Sequence, residues 1–564
     1  MNGVKNSIIL IPNNLNRKKN IKMGHKTLRG HLIDIFNRRI FPAVIHFDKG
    51  LIVRIEEVSE APNLFVLPGF TDAHIHIESS MLTPYEFARK ALVHGTVATV
   101  SDPHEIANVC GMDGVMYMLE NARDARLKIN FGAPSCVPAT RFETAGAVLG
   151  PEQVGELLQR SDIRYLSEMM NYPGVLFGDA EVMRKIELAK AAGKPVDGHA
   201  PGLMGEDARK YIAAGISTDH ECFTKEEALG KLQHGMKILI REGSAARNFE
   251  ALHELISEFP DQVMLCSDDK HPDELLEGHI NLLVKRALAK GHNLFDVLQC
   301  ACVNPVLHYK LEVGLLRPGD PADFILVNNL EDFKVTETWI NGDCVAKAGS
   351  CMLPQKEHAL INQFNIQTKV PSDFALPAEG MNIRVIDAID GQLVTGSSES
   401  AAVTDDGMVL ADPEHDILKL TVVNRYEDKP PARAFIRNFG LRSGAIASTV
   451  AHDSHNIIAA GADDESICRA VNLLIQNKGG LSAVYGNREL SLPLPIAGLM
   501  SDKSCEEIGH SYAAIDAMVK QMGCNLRAPY MTLSFMALLV IPSVKLSDKG
   551  LFDGVQFKFT SVFT

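Results

Sequence analysis

Pro68-Gly69-Phe70-Thr71-Asp72-Ala73-His74-Ile75-His76-Ile77-Glu78 is the stretch on which the reading of this chain turns. With the apolar Phe65-Val66-Leu67 before it, it reads as a strand that delivers two histidines two residues apart. Residues i and i+2 of a strand point the same way, so His74 and His76 can grip one metal ion from one side. Pro68-Gly69 supplies a break or bulge that re-aims the residues after it. A His-x-His pair alone suits an exposed strand face equally well, and the rest of the chain tips the balance.

Outward from this strand, short β-like runs alternate with longer amphipathic ones from about residue 64 to 270, the pattern of a parallel α/β fold. Eight runs are expected: Phe65 to Ile77, Thr96 to Ser101, Lys128 to Pro134, Arg164 to Met169, Pro195 to His199, Ile216 to His220, Lys237 to Arg241 and Val263 to Ser267. Helices are expected over Pro84 to His94 and Asp179 to Ala192, the second closed by Gly193. Eight strand-helix units predict a (β/α)8 barrel with its chemistry at the C-terminal strand ends; an open doubly wound sheet is the alternative.

Strand-like pieces on both flanks, Ala43 to Phe47 and Leu51 to Ile55 on one side, Phe324 to Val327 and Thr336 to Asn341 on the other, predict a small β-domain from residues 26–63 and 306–351. The barrel then occupies 64–305. Residues 352–380 read as a linker, and 381–564 as a further α/β or α+β domain.

Length and composition agree with this division. A chain of 564 residues exceeds one core. Apolar residues at 46% and charged ones at 22% are those of an ordinary globular protein. A formal charge of −14 argues against nucleic acid as a partner. Eleven scattered cysteines without a Cys-x-x-Cys suit reduced thiols in the cytoplasm. The apolar run Ile8 to Ile11 is too short for a secretory signal, and that around Phe535 to Ile541 too short to cross a bilayer. No phosphate-binding or dinucleotide glycine motif occurs, which leaves out nucleotide-triphosphate and dinucleotide chemistry.

The candidate ligands fall on the expected strand ends: His74 and His76, Glu168, His199, His220, and Asp268 followed by Asp269. Singly, each has an ordinary structural role, Glu168 as a solvated carboxylate, His199 in a loop, His220 at a helix start, Asp268 as an N-cap. A barrel brings all of them to one cavity. Imidazole and carboxylate without thiolate suit Zn²⁺, Mn²⁺ or Fe²⁺, and a bridging carboxylate permits two ions. A metal there lowers the pKa of a bound water, and Asp268 is placed as the proton shuttle.

These motifs resemble the amidohydrolase superfamily and, within it, the bacterial adenine deaminases. The resemblance rests on residues 68–81, on Asp102-Pro103-His104-Glu105-Ile106-Ala107-Asn108-Val109, Gly198-His199-Ala200-Pro201-Gly202, Asp219-His220-Glu221 and Cys266-Ser267-Asp268-Asp269-Lys270-His271-Pro272, and continues through Ala451-His452-Asp453-Ser454-His455-Asn456-Ile457 and Leu494 to Met500. It implies hydrolysis of adenine to hypoxanthine and ammonia on a divalent-metal centre, usually manganese or iron. It also implies that Glu168 stands where many relatives bridge two metals with a carboxylated lysine. Adenosine deaminases carry a ring-protonating glutamate shortly after the strand-five histidine; here Ala200-Pro201-Gly202 stands in that place, and Glu221 and Glu105 are both candidates for that acid. Ser79, Ser80, Asp102, His104 and Glu105 are the expected specificity residues. Another amidohydrolase acting on a different nucleobase or a cyclic amide is the second reading. The expected setting is a cytoplasmic homo-oligomer with a small-molecule substrate and no membrane or nucleic-acid partner. The turn His452 to Asn456 is expected either to be held by its own side-chain hydrogen bonds or to face the barrel mouth and help close it.

Overall fold

The computed structural model describes residues 25–564. The apolar run Ile8 to Ile11 lies outside the described residues. No helix among them is long and apolar enough to cross a membrane.

Eight parallel strands form the barrel: β1 (Phe70–Ile75), β2 (Thr96–Ser101), β3 (Lys128–Ala133), β4 (Ile163–Met169), β5 (Val196–Gly198), β6 (Thr218–Asp219), β7 (Lys237–Arg241) and β8 (Val263–Cys266). The first five pair in order, as do the last three. Two parallel bridges close the ring, Val196 to Ile216 between β5 and the approach to β6, and Ile75 to Asp268 between β1 and the end of β8. A closed barrel leaves no open edge, so the doubly wound alternative is set aside. The strands are almost continuously buried, as expected where helices cover the outside of a parallel sheet. The helix Ala180–Ala191 starts where Asp179 accepts from the backbone N–H groups of Glu181 and Val182 at 3.0 and 3.1 Å, and Gly193 comes after it with φ 67°.

The expected single strand Phe65 to Ile77 is two strands. Phe65–Pro68 runs parallel to Lys26–Asp34 and antiparallel to Phe324–Val327 in an outer sheet, and only Phe70–Ile75 enters the barrel. The division falls at Gly69, where a Cβ would lie 2.2 Å from Cγ1 of Val97. Only glycine lets the backbone pass that close, so the chain changes sheets there. The outer sheet has eight strands drawn from both flanks of the barrel, ending in Leu51–Glu57 on one side and Ser350–Cys351 on the other. Phe47, Phe324 and Trp339 pack in its core.

The C-terminal region is α+β. Its eight-stranded sheet is antiparallel except where Asn382–Asp387 runs parallel to Ala432–Arg437. Period-two alternation splits its faces. Ala445, Ala447, Ile457 and Ala459 pack on the helix Asp464–Asn477. Ile446, Ile458, Ala460 and Leu481 belong to the same apolar core as the barrel. That shared core sets the C-terminal region against the barrel mouth.

Candidate active site

Barrel closure and site assembly are one event. The backbone N–H of Asp268 donates to the His74 carbonyl at 2.9 Å and that of His76 to the Asp268 carbonyl at 3.3 Å. Asp268 therefore arrives beside both histidines: its Oδ1 is 3.6 Å from His74 Nε2 and 3.3 Å from His76 Nε2. Glu168, at the end of β4, is the hub. Its oxygens lie 3.3 Å from His76 Nε2, 2.8 Å from His199 Nδ1, 3.3 Å from His220 Nε2 and 4.0 Å from His74 Nε2. All six expected ligands thus converge at the C-terminal barrel ends, and all are buried.

Their electrostatics arise from that crowding. Burial opposes ionisation of Glu168, but His199, His220 and His76 outweigh it and hold its carboxyl well below the usual range. Burial likewise opposes the Asp268 carboxylate, and Arg241, His74 and His76 outweigh it. Burial and the neighbouring imidazole of His220, stacked at 4.1 Å, push His74 below the ordinary histidine value, toward the neutral form that binds metal.

The set fits a divalent cation. His74 Nε2 and His76 Nε2 face each other at 3.1 Å, and His76 Nδ1 lies 3.4 Å from the Asp102 carbonyl, which leaves Nε2 free for a ligand role. His74 Nδ1 and His199 Nε2 are buried without a hydrogen-bond partner. Nitrogen and oxygen donors with no thiolate suit manganese, iron or zinc.

Arg241, the last residue of β7, is a component that sequence reasoning missed. It grips Glu221 through both guanidinium nitrogens, Nη2 to Oε2 at 2.9 Å, and donates from Nη1 to Asp268 Oδ2 at 2.6 Å. The available signal was an arginine ending the apolar run Ile238-Leu239-Ile240, the same signal that picked out Glu168. Burial opposes ionisation of Glu221, but Arg241, helped by His199 and His220, holds its carboxyl at about 2. Glu221 is an ion-pair partner rather than a free acid.

The expected specificity residues divide. His104 and Glu105 line the cavity. Both serines sit in the 3₁₀ turn Ile77–Ser80: Ser80 donates to the Ile77 carbonyl at 2.6 Å and closes the turn, while Ser79 donates across to Asp269 Oδ1 at 2.6 Å, beyond the end of β8. Asp102 stands behind His104, accepting from its Nδ1 at 3.0 Å. Asp269, next to Asp268, takes a place on the wall.

The opposite wall comes from the C-terminal region. His452 and Asp453 face the cavity together with the apolar Leu393, Phe535 and Leu538. His452 Nδ1 is 2.7 Å from Glu105 Oε1, and the Phe535 ring stacks on His452 at 5.4 Å. The turn is docked by cross-links to the barrel: Ser454 Oγ donates to Glu143 Oε2 at 2.7 Å and Asn456 Nδ2 to the Thr144 carbonyl at 2.9 Å. It is therefore held by the barrel rather than by its own side chains alone.

Comparison with known proteins agrees with this division of the cavity. Residues 65–345 match the amidohydrolase family, and residues 392–558 match the adenine deaminase C-terminal domain. The chain is 54% identical over 539 residues to an adenine deaminase of Salinibacter ruber, an alignment covering 95% of this chain and 99% of that one. It is 55% identical to one of Sulfurovum sp. over 94% and 98% of the two chains, and 52% identical to one of Methanosarcina acetivorans over 95% and 99%. The half of the cavity built by the barrel and the half built by the C-terminal region each carry the likeness, and the chain belongs to the adenine deaminase family of metal-dependent amidohydrolases.

Proposed function

We propose that this chain hydrolyses adenine to hypoxanthine and ammonia, with a divalent ion, Mn²⁺ or Fe²⁺, held by His74, His76, Glu168, His199, His220 and Asp268. The observation that carries the reading is the convergence of these six groups in a chain that shares half its residues with adenine deaminases over nearly its full length. A divalent ion so held supplies Lewis acidity and water activated near neutral pH.

The chain's own groups do the rest. Asp268 Oδ1 faces His74 and His76 while Arg241 fixes Oδ2, so Oδ1 takes the proton from the attacking water and delivers it to the leaving amine. Glu221, paired with Arg241, orients that guanidinium rather than protonating the ring. His104 and Glu105 present the polar edge that meets the purine nitrogens. Phe535, Leu393 and Leu538 offer an apolar face to the planar base and exclude water, which strengthens every charge interaction inside. The test is ammonia release by the manganese-loaded protein from adenine, adenosine, guanine and cytosine. Adenine should far exceed adenosine in kcat/KM, since no group in the cavity is set aside for a ribose; equal values would overturn the assignment.

A further inference from the structure

Asp269 is a carboxylate of the barrel wall with no part in proton transfer or in the six-residue cluster. Consecutive residues of an extended chain face opposite sides, so Asp268 and Asp269 would ordinarily not share a cavity. Asp268 has φ 55°, a left-handed conformation, and both carboxylates line the same cavity beyond this turn. An Asp269 oxygen lies within 4.8 Å of ligand atoms of His76 and Asp268, beside the reacting centre. The backbone is pinned there as well, since the Ser244 N–H donates to the Asp269 carbonyl at 2.8 Å.

The six carboxylates that line the cavity differ in what they have left to offer. Glu168 is taken by three histidines and Glu221 by Arg241. Asp268 gives one oxygen to Arg241 and the other to His74 and His76. Glu105 lies between His452 and His455, and Asp453 Oδ1 between His104 and His452, while Asp453 Oδ2 is enclosed in the C-terminal wall. Asp269 is the most open of the six, at 8% exposure. Ser79 fixes its Oδ1 at 2.6 Å, and Oδ2 accepts no hydrogen bond among the described residues. Adenine has one donor to match this free acceptor. Its N–H groups are the amine at C6, which leaves, and the single N–H of the five-membered ring. The other ring nitrogens accept. In a nucleoside the sugar takes the place of that hydrogen, and the ring has no N–H at all.

We propose that Asp269 Oδ2 accepts the five-membered-ring N–H of adenine and selects the free base over its nucleoside. The inference rests on the adenine reading above and deepens it. A substituent on the ring nitrogen does more than fail to fit. It leaves a buried acceptor facing carbon, stripped of water and given nothing in return. A site built to pair with a substrate N–H rejects the analogue that lacks it far more strongly than size alone can. Ser79 serves as the positioning residue, because the bond it makes to Oδ1 decides which oxygen remains for the base.

The probe is the isostere of adenine in which an oxygen replaces the N9–H, since it adds no bulk and leaves no N–H on the five-membered ring. Ammonia release from adenine and from the isostere is measured on manganese-loaded parent and Asp269→Asn, with inhibition constants where turnover is too slow. The parent should favour adenine by about 10²-fold or more in kcat/KM. In Asp269→Asn the amide oxygen keeps the bond from Ser79 and an N–H turns toward the ring. The two compounds should then come within about tenfold of each other, chiefly by loss of adenine, with metal content unchanged. A role confined to folding would lower both together. A parent without preference, an undiminished preference in folded Asp269→Asn, or loss of metal from that variant, which would make Asp269 a ligand, each overturns the proposal. Should Asp269→Asn fail to fold, Ser79→Ala decides: the preference should fall with metal retained, and an unchanged preference refutes the pairing. A parent that releases no ammonia from adenine overturns the earlier reading and this one together, whereas a parent active on adenine but indifferent to the ring N–H overturns this one alone.

Discussion

The two walls of the cavity are built on different principles. The barrel wall takes its groups from the ends of successive strands, and Arg241, Glu221 and Asp268 brace it with bonds made inside one ring of backbone pairing. The C-terminal wall takes its groups from turns, loops and the end of the helix Pro529–Phe535, and individual side-chain contacts such as Ser454 to Glu143 and Asn456 to Thr144 hold it in place. One half of the site is fixed by the fold, and the other is fastened onto it. Damage to the first wall should therefore appear in the chemical step, and damage to the second in closure and stability.

Asp268→Asn probes the barrel wall most directly. The amide keeps the shape and the bond to Arg241 but loses the proton acceptor, so kcat should fall by ~10²- to ~10⁴-fold with metal content unchanged. Steady-state kinetics on metal-loaded protein check it, and near-normal turnover would remove Asp268 from proton transfer. Arg241→Met comes next. It leaves Glu221 and Asp268 buried without their cation, a change that ordinarily costs about 3–5 kcal/mol. Thermal unfolding should move down by several degrees, and adding Glu221→Gln to Arg241→Met should restore part of the loss. A single variant as stable as the parent would show that the barrel wall does not rely on this brace.

The same division explains what could be read in the sequence. Strand-end residues are legible because a strand is a short apolar run with a fixed period, and a polar residue at its end stands out, as Glu168 does after Tyr165-Leu166-Ser167. Arg241 ends an apolar run in the same way, but arginine is not a metal ligand, so the signal does not mark it as one. Ser79 and Ser80 could not be placed, since a 3₁₀ turn of four residues has no periodicity to say which side chains face inward. The break at Gly69 was visible, but its outcome, a change of sheet, depends on Val97 approaching from β2, a tertiary contact. Leu393, Phe535 and Leu538 look like any other apolar residues. Only the packing of the C-terminal sheet on the barrel core makes them a wall.

Lys545 tests how that wall is fastened. Its ammonium is buried with no carboxylate partner among the described residues, and burial pushes its pKa down to about 7. It donates to the backbone carbonyls of Leu393 and, at 3.0 Å, of Phe535, two residues whose side chains face the cavity. Lys545→Met frees both carbonyls in the interior, at about 1–3 kcal/mol for an unsatisfied group. The expected signature is a lower unfolding temperature and a raised KM for adenine with metal content intact. A change in kcat alone would place the effect on the barrel wall and erase the distinction.

Glu143 gives the sharpest test, because pH alone moves it. Burial, with a further push from the Asp453 carboxylate, raises its carboxyl to about 8, against the opposing hydrogen bonds from Ser454 and Thr140. A carboxyl whose folded pKa lies above its unfolded value contributes stability that is complete below the unfolded pKa, near 4.5, and is lost as pH rises toward the folded value near 8. The unfolded chain releases this proton first, so raising the pH favours unfolding across that window. Glu143→Gln cannot ionise. The unfolding temperature of the parent minus that of Glu143→Gln should therefore fall by a few degrees, at about 1 °C per kcal/mol for a chain of this length, between about pH 5 and about pH 8, and then level off. A difference independent of pH would mean that Glu143 is already ionised in the folded chain. Ser454 would then dock on a carboxylate held by charge, and the C-terminal wall would be braced in the same manner as the barrel.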